Sequence, residues 1–440
     1  MILLRKVFLP RKSAGPIPSA QLTLIRARSD MMKSVFEIST CEVCMTGTPV
    51  SVLDLGLHPL CDDLVPVSSS AVCEEFPIEI LYCSNCRTAH QRFQVPKQLL
   101  FPASYHYRAR FTADVLNGMA SLVSSVESKY GSLKEKLVLD IGCNDGSLLN
   151  IFRGHGALTV GIEPTGAYAD AADSGHAVYN SFLDEDIASI LVREHGHPDF
   201  ITMTNVFAHI SNLPQVLSSL VILSGADTRI IIENHYLGSV LDGNQFDTFY
   251  HEHPRTYSFE SFNLIARSVG RVVTGVEFPN RYGGNIRVYL GLPGDSTFTY
   301  DSLGRLDAEA HFDSRFQRMQ GQVQRWRETK AQHIRQLVQE YGPLRAKAFP
   351  GRAAILIKLL GLDTSSICVV HEKPGSLKIG HYLPGTRIPI VSDNDLVVSG
   401  DMSRPLINLA WHIPNEIRSY MASLGYQGEI VDILDPKDFL

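Results

Sequence analysis

The chain has 440 residues, of which 44% are hydrophobic and 20% charged, the composition of a globular protein with about three domains. Its 40 Lys and Arg residues against 46 Asp and Glu residues give a formal net charge of -6, which does not favour nucleic-acid binding. No apolar run approaches the roughly 18 residues that a membrane-spanning helix needs, and we therefore expect a soluble protein.

The first thirty residues are basic, with no acidic residue before Asp30. They lack the long apolar stretch and the cleavage site of a secretory signal, but an acid-poor leader of this kind can be an organelle transit peptide. The alternatives are a disordered extension and a start codon assigned too far upstream. Met31 and Met32, which stand just ahead of the first motif, fit the second alternative. We assign residues 1–38 as an extension, predict that it is disordered and leave it out of the fold.

Four of the eight cysteines form two Cys-x-x-Cys pairs separated by 38 residues: Cys41, Cys44, Cys83 and Cys86. Four thiolates at this spacing can surround one Zn²⁺ with no open position, which predicts a structural site. Cys61 and Cys73 lie between the pairs and are predicted to be buried small residues. A loop-dominated segment of this size buries little core, so residues 39–102 are predicted to form a small module that the metal stabilises. The paired cysteines also favour a reducing compartment, and we expect a cytoplasmic protein.

An amphipathic helix is predicted from about Ala103 to Tyr130, with Phe111 on its apolar face. Apolar runs then alternate with helical segments, and the runs begin at Leu137, Leu158, Phe200 and Arg229. Strands separated by helices indicate a parallel, doubly wound sheet, which we assign to residues 103–306.

Two further regions follow this sheet. The stretch from about Asp307 to Tyr341 has no Pro and predicts one or two long helices that join two domains, assigned as a linker over residues 307–345. Apolar runs after Pro350 indicate a second, smaller α/β domain over residues 346–440.

A D-x-G-x-x-x-G turn follows the first predicted strand, and an apolar helix follows the turn. Its glycines let the backbone approach a ligand at the carboxyl edge of the sheet, where Glu163 ends the second strand and can accept hydrogen bonds from ribose hydroxyls. The spacing differs from the G-x-G-x-x-G of dinucleotide folds and resembles motif I of S-adenosylmethionine (SAM)-dependent methyltransferases. The predicted cofactor-binding residues are Asp140, Gly142, Asn144, Gly146, Glu163 and Asn205.

The segment Tyr250-His251-Glu252-His253 places a phenol, two imidazoles and a carboxylate at consecutive positions. Histidine titrates near neutrality and a neighbouring carboxylate can raise its basicity, so we predict acid–base chemistry here. A metal site fits less well, because no third ligand stands at the offset found in H-E-x-x-H. His209 lies just past the fourth strand, on the same edge of the sheet.

Taken in order, the motifs resemble those of the sugar C-methyltransferases, which add branch methyls to nucleotide-linked keto-deoxysugars. The shared series is two Cys-x-x-Cys pairs, Tyr105-x-Tyr107, D-I-G-C-N-D-G, N-x-x-x-H-I, Y-H-E-H and Gly283-Gly284-Asn285-Ile286-Arg287. The resemblance covers about residues 38–435. It implies an α/β protein with a class I Rossmann-like methyltransferase domain, a small N-terminal zinc-binding module and a C-terminal Rossmann-like α/β domain that helps to hold the nucleotide sugar.

Position by position, the resemblance implies that His253 is the general base. The implied catalytic set is His253, His209, Tyr250 and Glu252, and the implied substrate-binding set is Tyr105, Tyr107, Gly284 and Arg287. The chemistry agrees, because carbon next to a ketone becomes nucleophilic only as an enolate, which needs a base and donors at the oxyanion. The implied partners are SAM, a structural Zn²⁺ and a nucleotide-linked sugar, bound by a monomer or homodimer that binds no nucleic acid and no membrane.

The chain departs from the family at three places. Tyr282 stands where the family has a histidine before two glycines, and residues 349–358 replace a glycine-rich C-terminal loop. A later Asp-x-x-Pro-x-Lys-Gln-Gly region survives only in part, at residues 372–380. These changes bear on the substrate and keep two alternatives open. One is an O- or N-methyltransferase of another metabolite on the same fold, and the other is an interaction protein that has lost activity, which the intact Asp140, Glu163 and His253 oppose.

Overall fold

A computed structural model of the chain describes residues 35–102, 105, 107–281, 283–295, 305–399 and 402–439. Residues 1–34 of the extension predicted at residues 1–38 lie outside the described residues, as does residue 282. The end of that extension is ordered, which corrects the prediction, because Phe36–Glu37 form a strand that pairs with Phe93–Gln94. Within the described ranges, no helix is long and apolar enough to cross a membrane.

The N-terminal unit is built on antiparallel strands. Its elements are the strands Phe36–Glu37, Val50–Pro59, Val65–Pro66, Glu75–Cys83, Thr88–Gln91 and Phe93–Gln94 and the short helix Lys97–Leu100. The prediction of a loop-dominated module was wrong, because Leu53 and Leu55 alternate with exposed neighbours along a ten-residue strand and bury one face of a sheet. Two register shifts in its pairing with Glu75–Cys83 interrupt that alternation and hide it from a reading of the sequence.

The fourth strand of this sheet comes from a distant part of the chain. Arg255 and Thr256 pair with His90 and Ala89, so that the order is Arg255–Thr256, Thr88–Gln91, Glu75–Cys83, Val50–Pro59. We call these four strands the zinc-module sheet. The segment that follows Tyr250-His251-Glu252-His253 is therefore one edge of this sheet.

The helix that precedes the central sheet begins later than predicted. It spans Ala113–Tyr130 and follows a 3-10 turn at Ala109–Phe111. The backbone N–H groups of Ala109 and Arg110 donate to the side chains of Asn144 and Asp145, each over 2.9 Å, and these bonds keep the segment out of the helix. Phe111, expected on the apolar face, is consequently exposed.

The central sheet has seven strands, and the doubly wound fold is confirmed. In spatial order they are Val272–Glu277, Asn285–Gly291, Arg229–His235, Phe200–Thr204, Leu137–Ile141, Leu158–Ile162 and Ala177–Tyr179. The five from Arg229–His235 onward are parallel, and the other two form an antiparallel pair at the edge. The helices of this domain are Ser147–Gly154, Tyr168–Asp173, Glu185–His195, Leu213–Leu223, Leu237–Asp242 and Phe259–Ser268, with 3-10 turns at Phe207–His209 and Phe246–Thr248.

The C-terminal sheet has five parallel strands in the doubly wound order. In spatial order they are Ile390–Ser392, Ile367–Glu372, Leu344–Lys347, Leu406–Asn408 and Ile430–Asp432. Its helices are Ala353–Leu360, Asp393–Ser399 and Pro414–Ser423, with a 3-10 turn at Pro436–Phe439. The short strand His381–Tyr382 pairs with Val65–Pro66, which joins the C-terminal unit to the N-terminal unit.

Two helices connect the sheets, Arg305–Ala310 and Phe312–Tyr341, as the sequence predicted. The second, which we call the long helix, packs against all three units. Phe316 lies 5.4 Å from the ring of Tyr82, and Trp326 lies 5.1 Å from that of Phe246. The indole N–H of Trp326 also donates to the backbone carbonyl of Ile433 over 3.2 Å.

Candidate active site

A cavity of about 580 Å³ lies where the central sheet and the C-terminal sheet turn their carboxyl edges toward each other. Open α/β sheets bind ligands at this edge, and here two such edges share one space. The cofactor turn forms one end of the cavity. The other end is formed by the segment around His253 and by residues 350–352 at the start of a C-terminal helix.

The glycines of the cofactor turn have different roles. Gly142 lines the cavity, has a φ of +73° and donates its N–H to the carbonyl of Ile162 over 2.8 Å. A Cβ at Gly142 would lie 2.5 Å from Val206, so both the backbone conformation and the packing require glycine. Gly146, predicted to bind the cofactor, does not line the cavity. Its φ is +76°, and a Cβ there would meet Ala171 at 3.0 Å.

Two carboxylates stand at the cofactor end. Glu163 accepts the backbone N–H of Asn144 over 2.9 Å with one oxygen and that of Thr165 over 2.8 Å with the other. Each carboxylate oxygen can accept a second bond, which leaves Glu163 able to receive ribose hydroxyls. Asp140 accepts the hydroxyl of Thr202 over 2.7 Å, and burial raises its pKa to about 7. Five of the six predicted cofactor residues line the cavity, namely Asp140, Gly142, Asn144, Glu163 and Asn205.

The side chain of His253 lies at the other end in a defined tautomer. Its Nδ1–H donates to the backbone carbonyl of Thr248 over 2.9 Å, so Nε2 carries the lone pair. Burial, together with neighbouring His209 and His235, holds the pKa of His253 well below its usual range. The ring centres of these two neighbours lie 4.8 and 5.3 Å from that of His253, and that of Tyr250 lies at 4.2 Å. His253 is therefore a neutral acceptor near pH 7.

Further polar side chains line the cavity together with His253. Burial and the negative charge of Asp62 raise the pKa of Glu252 well above its usual range, which favours the neutral acid, the form that has an O–H to donate. Tyr105 donates its hydroxyl to Glu252 over 3.4 Å, and burial raises the pKa values of Tyr105 and Tyr250. His209 donates its Nδ1–H to the backbone carbonyl of Glu252 over 2.7 Å. All four predicted catalytic residues line the cavity.

Tyr105 and Tyr107, predicted to bind substrate, line the cavity. Gly284 and Arg287 do not, and this corrects the prediction. The guanidinium of Arg287 binds Glu233 and Glu277, each over 2.7 Å, inside the central sheet. A Cβ at Gly284 would lie 2.4 Å from the Ser239 hydroxyl, which indicates a packing role.

Several cavity residues were missed by the sequence analysis: Cys61, Asp62, His235, Arg352, Lys378 and His412. Arg352 Nε lies 3.4 Å from a carboxylate oxygen of the buried Asp247, and the guanidinium lies 5.0 Å from the ring centre of Trp411. The indole N–H of Trp411 donates to the same carboxylate over 2.9 Å. The only signal in the sequence was that Arg352 falls within the replaced loop. His235 could have been found, because it ends a parallel strand beside the other candidates.

The four paired cysteines converge on one point, with all their Sγ atoms within 4.8 Å of one another. Cys41 and Cys86 have their sulfurs 3.3 Å apart, and Cys44 and Cys83 theirs 3.7 Å apart. Tetrahedral zinc with Zn–S bonds of about 2.3 Å holds sulfurs roughly 3.8 Å apart, so the group fits the ion. Four thiolates would fill the coordination sphere of such an ion, as in structural zinc sites. Cys61 is buried as predicted, but Cys73 is only half-buried.

Comparisons with known proteins agree with this division of the chain. A “Putative zinc binding domain” model matches residues 41–101, a methyltransferase domain model matches residues 106–274, and a C-methyltransferase C-terminal domain model matches residues 280–432. The C-methyltransferase NovU of Streptomyces niveus is 26% identical over 394 residues, which are 88% of this chain and 93% of that protein.

Solved structures match the chain in part. Magnesium protoporphyrin IX methyltransferase (ChlM) from Synechocystis PCC 6803 with bound SAM is 16% identical, with a TM-score of 0.31 over 41% of this chain and 80% of that chain. A SAM-dependent methyltransferase from Archaeoglobus fulgidus is 14% identical, with a TM-score of 0.32 over 39% of this chain and 93% of that chain.

Proposed function

Because the chain belongs to the SAM-dependent C-methyltransferases that combine these three domains, we propose that it methylates carbon next to the ketone of a nucleotide-linked keto-deoxysugar. The observation that supports the proposal most is the tautomer of His253, whose Nδ1–H donates to the backbone carbonyl of Thr248 and whose Nε2 keeps the lone pair. A neutral imidazole with its lone pair on Nε2 is the form of histidine that removes a proton from carbon.

In the proposed reaction, Nε2 of His253 accepts the proton of the carbon next to the ketone, and negative charge moves to the ketone oxygen. Glu252 and Tyr250, neutral donors in a buried site, would stabilise that oxyanion. When bound, SAM supplies a methyl group on a positively charged sulfur, and a C–C bond forms as the C–S bond breaks. The proton then leaves His253 for solvent, because nearby Arg352 and His235 disfavour an imidazolium.

We propose that the cofactor lies against Asp140, Gly142, Asn144, Glu163 and Asn205, with Glu163 on its ribose. At the other side of the cavity, Arg352 and Lys378 bring positive charge from the C-terminal unit. Lys378 is held in place by its bond to the backbone carbonyl of Phe349 over 2.6 Å. Two cations at this edge support a substrate that carries a diphosphate, as a nucleotide-linked sugar does.

We extend the proposal to the setting of the enzyme: a cytoplasmic monomer or homodimer with domains at residues 39–102, 103–306 and 346–440. Four of the eight cysteines converge on the zinc site, and paired cysteines used for metal are typical of proteins from reducing compartments. Light scattering on the purified full chain measures the oligomeric state, and a mass above that of a dimer would contradict this part.

Exchange of the substrate proton with deuterated solvent tests the proposal. Given a nucleotide-4-keto sugar and a cofactor analogue that transfers no methyl, the wild type should exchange the proton next to the ketone. His253→Ala should lose this exchange, and methyl transfer should fall by about 10² to 10⁴-fold, with SAM affinity by calorimetry unchanged. The exposed His155→Gln variant is the control and should keep both rates.

Two outcomes would contradict the proposal. Exchange and turnover that survive in His253→Ala would assign the base to another residue, and His209 would then be the first to replace. A product methylated on oxygen or nitrogen would reject carbon methylation of a sugar itself.

A further inference from the structure

The zinc-module sheet borders the segment that carries the proposed base. The backbone N–H of Gln91 donates to the carbonyl of Pro254 over 2.8 Å, and its side-chain amide donates to the carbonyl of Tyr250 over 3.3 Å. His251, absent from the cavity lining, donates its ring N–H to the carbonyl of Phe76 over 3.1 Å. Residues 250–256 therefore lie along this sheet, with His253 in their middle.

A fully buried guanidinium connects the two catalytic histidines. Arg255, two residues after His253, donates with one terminal nitrogen to the backbone carbonyls of Ile210 and Ser211, which directly follow His209. Its other terminal nitrogen lies 2.5 Å from Glu42, and its Nε donates to the hydroxyl of Tyr257 over 3.0 Å. One side chain thus binds the loop of His209 while its own backbone continues from His253.

The carboxylate that binds Arg255 lies within the first Cys-x-x-Cys pair. Glu42 lies between Cys41 and Cys44, and the oxygen that binds Arg255 also accepts the side-chain amide of Gln94 over 2.6 Å. His90 lies 3.3 Å from the sulfur of Cys41 and 3.7 Å from the same Glu42 oxygen. Glu42 directly follows Cys41 in the chain, so the backbone of the first cysteine pair and the Glu42–Arg255 ion pair connect the cysteine cluster to the loops at the cavity.

From these contacts we propose that Glu42 and Arg255 are positioning residues for the methyl transfer. They hold the loops of His209 and His253 at one fixed separation. Glu42 is itself held in place because it lies within the first cysteine pair, at the metal site. This inference rests on the proposed role of His253 as the base. The planar, multiply bonded guanidinium suits the task, since it fixes direction as well as distance.

A role in stability alone explains the arrangement less well. Buried ion pairs are weak contributors to net stability, because the cost of removing the charges from water offsets much of their attraction. A displacement of about 1 Å at a reacting group can lower a rate by about 10²-fold. We therefore expect the Glu42–Arg255 pair to affect the rate of the reaction more than the free energy of unfolding.

The test compares Arg255→Lys and Glu42→Gln with the wild type, each as the full zinc-loaded chain. Lysine keeps the charge but cannot reach Glu42 and the carbonyls of Ile210 and Ser211 together. Solvent exchange and kcat should fall by about 10 to 10²-fold, while KM, SAM affinity and zinc content stay at wild-type values. The double variant should lose no more than the larger single loss, because both changes break one connection.

Arg92→Gln is the matched control, since Arg92 forms ion pairs with Glu37 and Glu79 in the same module but outside the cavity. It should keep the wild-type kcat. Gln94→Met is a milder variant that removes one donor from Glu42 and leaves Arg255 intact, and it should lower kcat in the same direction by a smaller factor. If neither primary variant folds, Gln94→Met decides alone.

Wild-type exchange and kcat in folded, zinc-loaded Arg255→Lys would overturn the positioning role, as would an equal loss in Arg92→Gln. Wild-type rates in Gln94→Met overturn it when the primary variants do not fold. Exchange that persists in His253→Ala instead rejects the proposed base. Because the two failures appear in different variants, they are distinguishable.

Discussion

Burial keeps the imidazoles around the cavity neutral. It lowers the pKa of His209 to about 4 and those of His235 and His412 to about 3, and the positive charge of Arg352 lowers the pKa values of His235 and His412 further. The same two causes act on His253. If His253 is the base, as we propose, it should stay unprotonated through the neutral range and keep its activity well into acid, where a surface histidine would lose it.

Arg352→Met tests the effect of this cation on His253, the proposed base. Removal of a positive charge raises the pKa of His253, so the acid limb of the pH–rate profile should move to higher pH. Arg387→Met serves as the control, because that guanidinium binds the carbonyls of Ser69, Ser70 and Ala71 on the surface. A limb that stays in place, or moves to lower pH, in Arg352→Met would contradict the prediction.

Asp140 gives a second pH dependence, at the cofactor end. Burial raises its pKa to about 7, so part of the population is protonated at neutral pH before a ligand binds. A positively charged cofactor favours the carboxylate, so binding should release a proton and affinity should rise as the pH increases through 7. Calorimetry in two buffers of different ionisation enthalpy at about pH 6.5 measures that proton.

Asp140→Asn should bind without releasing the proton, whereas Asp199→Asn, at the opposite end of the first strand, should behave as the wild type. The same heat in both buffers for the wild-type chain would show that Asp140 does not titrate on binding.

At the scale of elements, the sequence predicted features whose residues are close in the chain. The cysteine pairs, the turn at Gly142 and the acidic end of the strand at Glu163 each lie within a few residues of an apolar strand. Because parallel strands bring their carboxyl ends to one edge of the sheet, residues at these ends could be predicted to share a site without knowledge of the packing. Five of the six residues predicted in this way to bind the cofactor line the cavity.

Features that depend on register and on distant contacts were not predictable in this way. Arg287 sits on a strand antiparallel to the one that carries Glu233, and only their pairing shows that the two face each other. Arg352 reaches the cavity from a domain more than a hundred residues away from Asp247 in the chain. Such partners lie far apart in the sequence, so no local sequence pattern predicts that they interact.

The metal centre should be structural, and Cys83→Ser tests this. Wild-type chain should contain about one zinc by elemental analysis, and loss of one thiolate should lower the free energy of unfolding by about 3 kcal/mol or more. Cys368→Ser, which changes an exposed cysteine outside the cluster, is the control and should leave both unchanged. A zinc-free chain of full stability would reject the structural assignment.

At the scale of the whole molecule, the three units are interleaved. The zinc-module sheet contains Arg255–Thr256 from the central region, and His381–Tyr382 from the C-terminal region pairs with Val65–Pro66. The long helix buries Trp326 against both the central and the C-terminal units. None of the units could unfold without exposing apolar surface of another.

This interleaving predicts one cooperative thermal transition for the whole chain, although proteins of several domains commonly unfold in steps. Chelation of zinc should move that single transition to lower temperature. Arg255–Thr256 belong to the central region of the chain and pair in the zinc-module sheet, so destabilising that sheet should also destabilise the central region. Calorimetry with and without a chelator, followed at the same time by far-UV circular dichroism, makes the measurement. Separate transitions, with the α/β part unfolding at the same temperature whether or not zinc is present, would show that the module unfolds independently. In that case Glu42 and Arg255 would still position the loops of His209 and His253, but loss of zinc would not lower the stability of the α/β part.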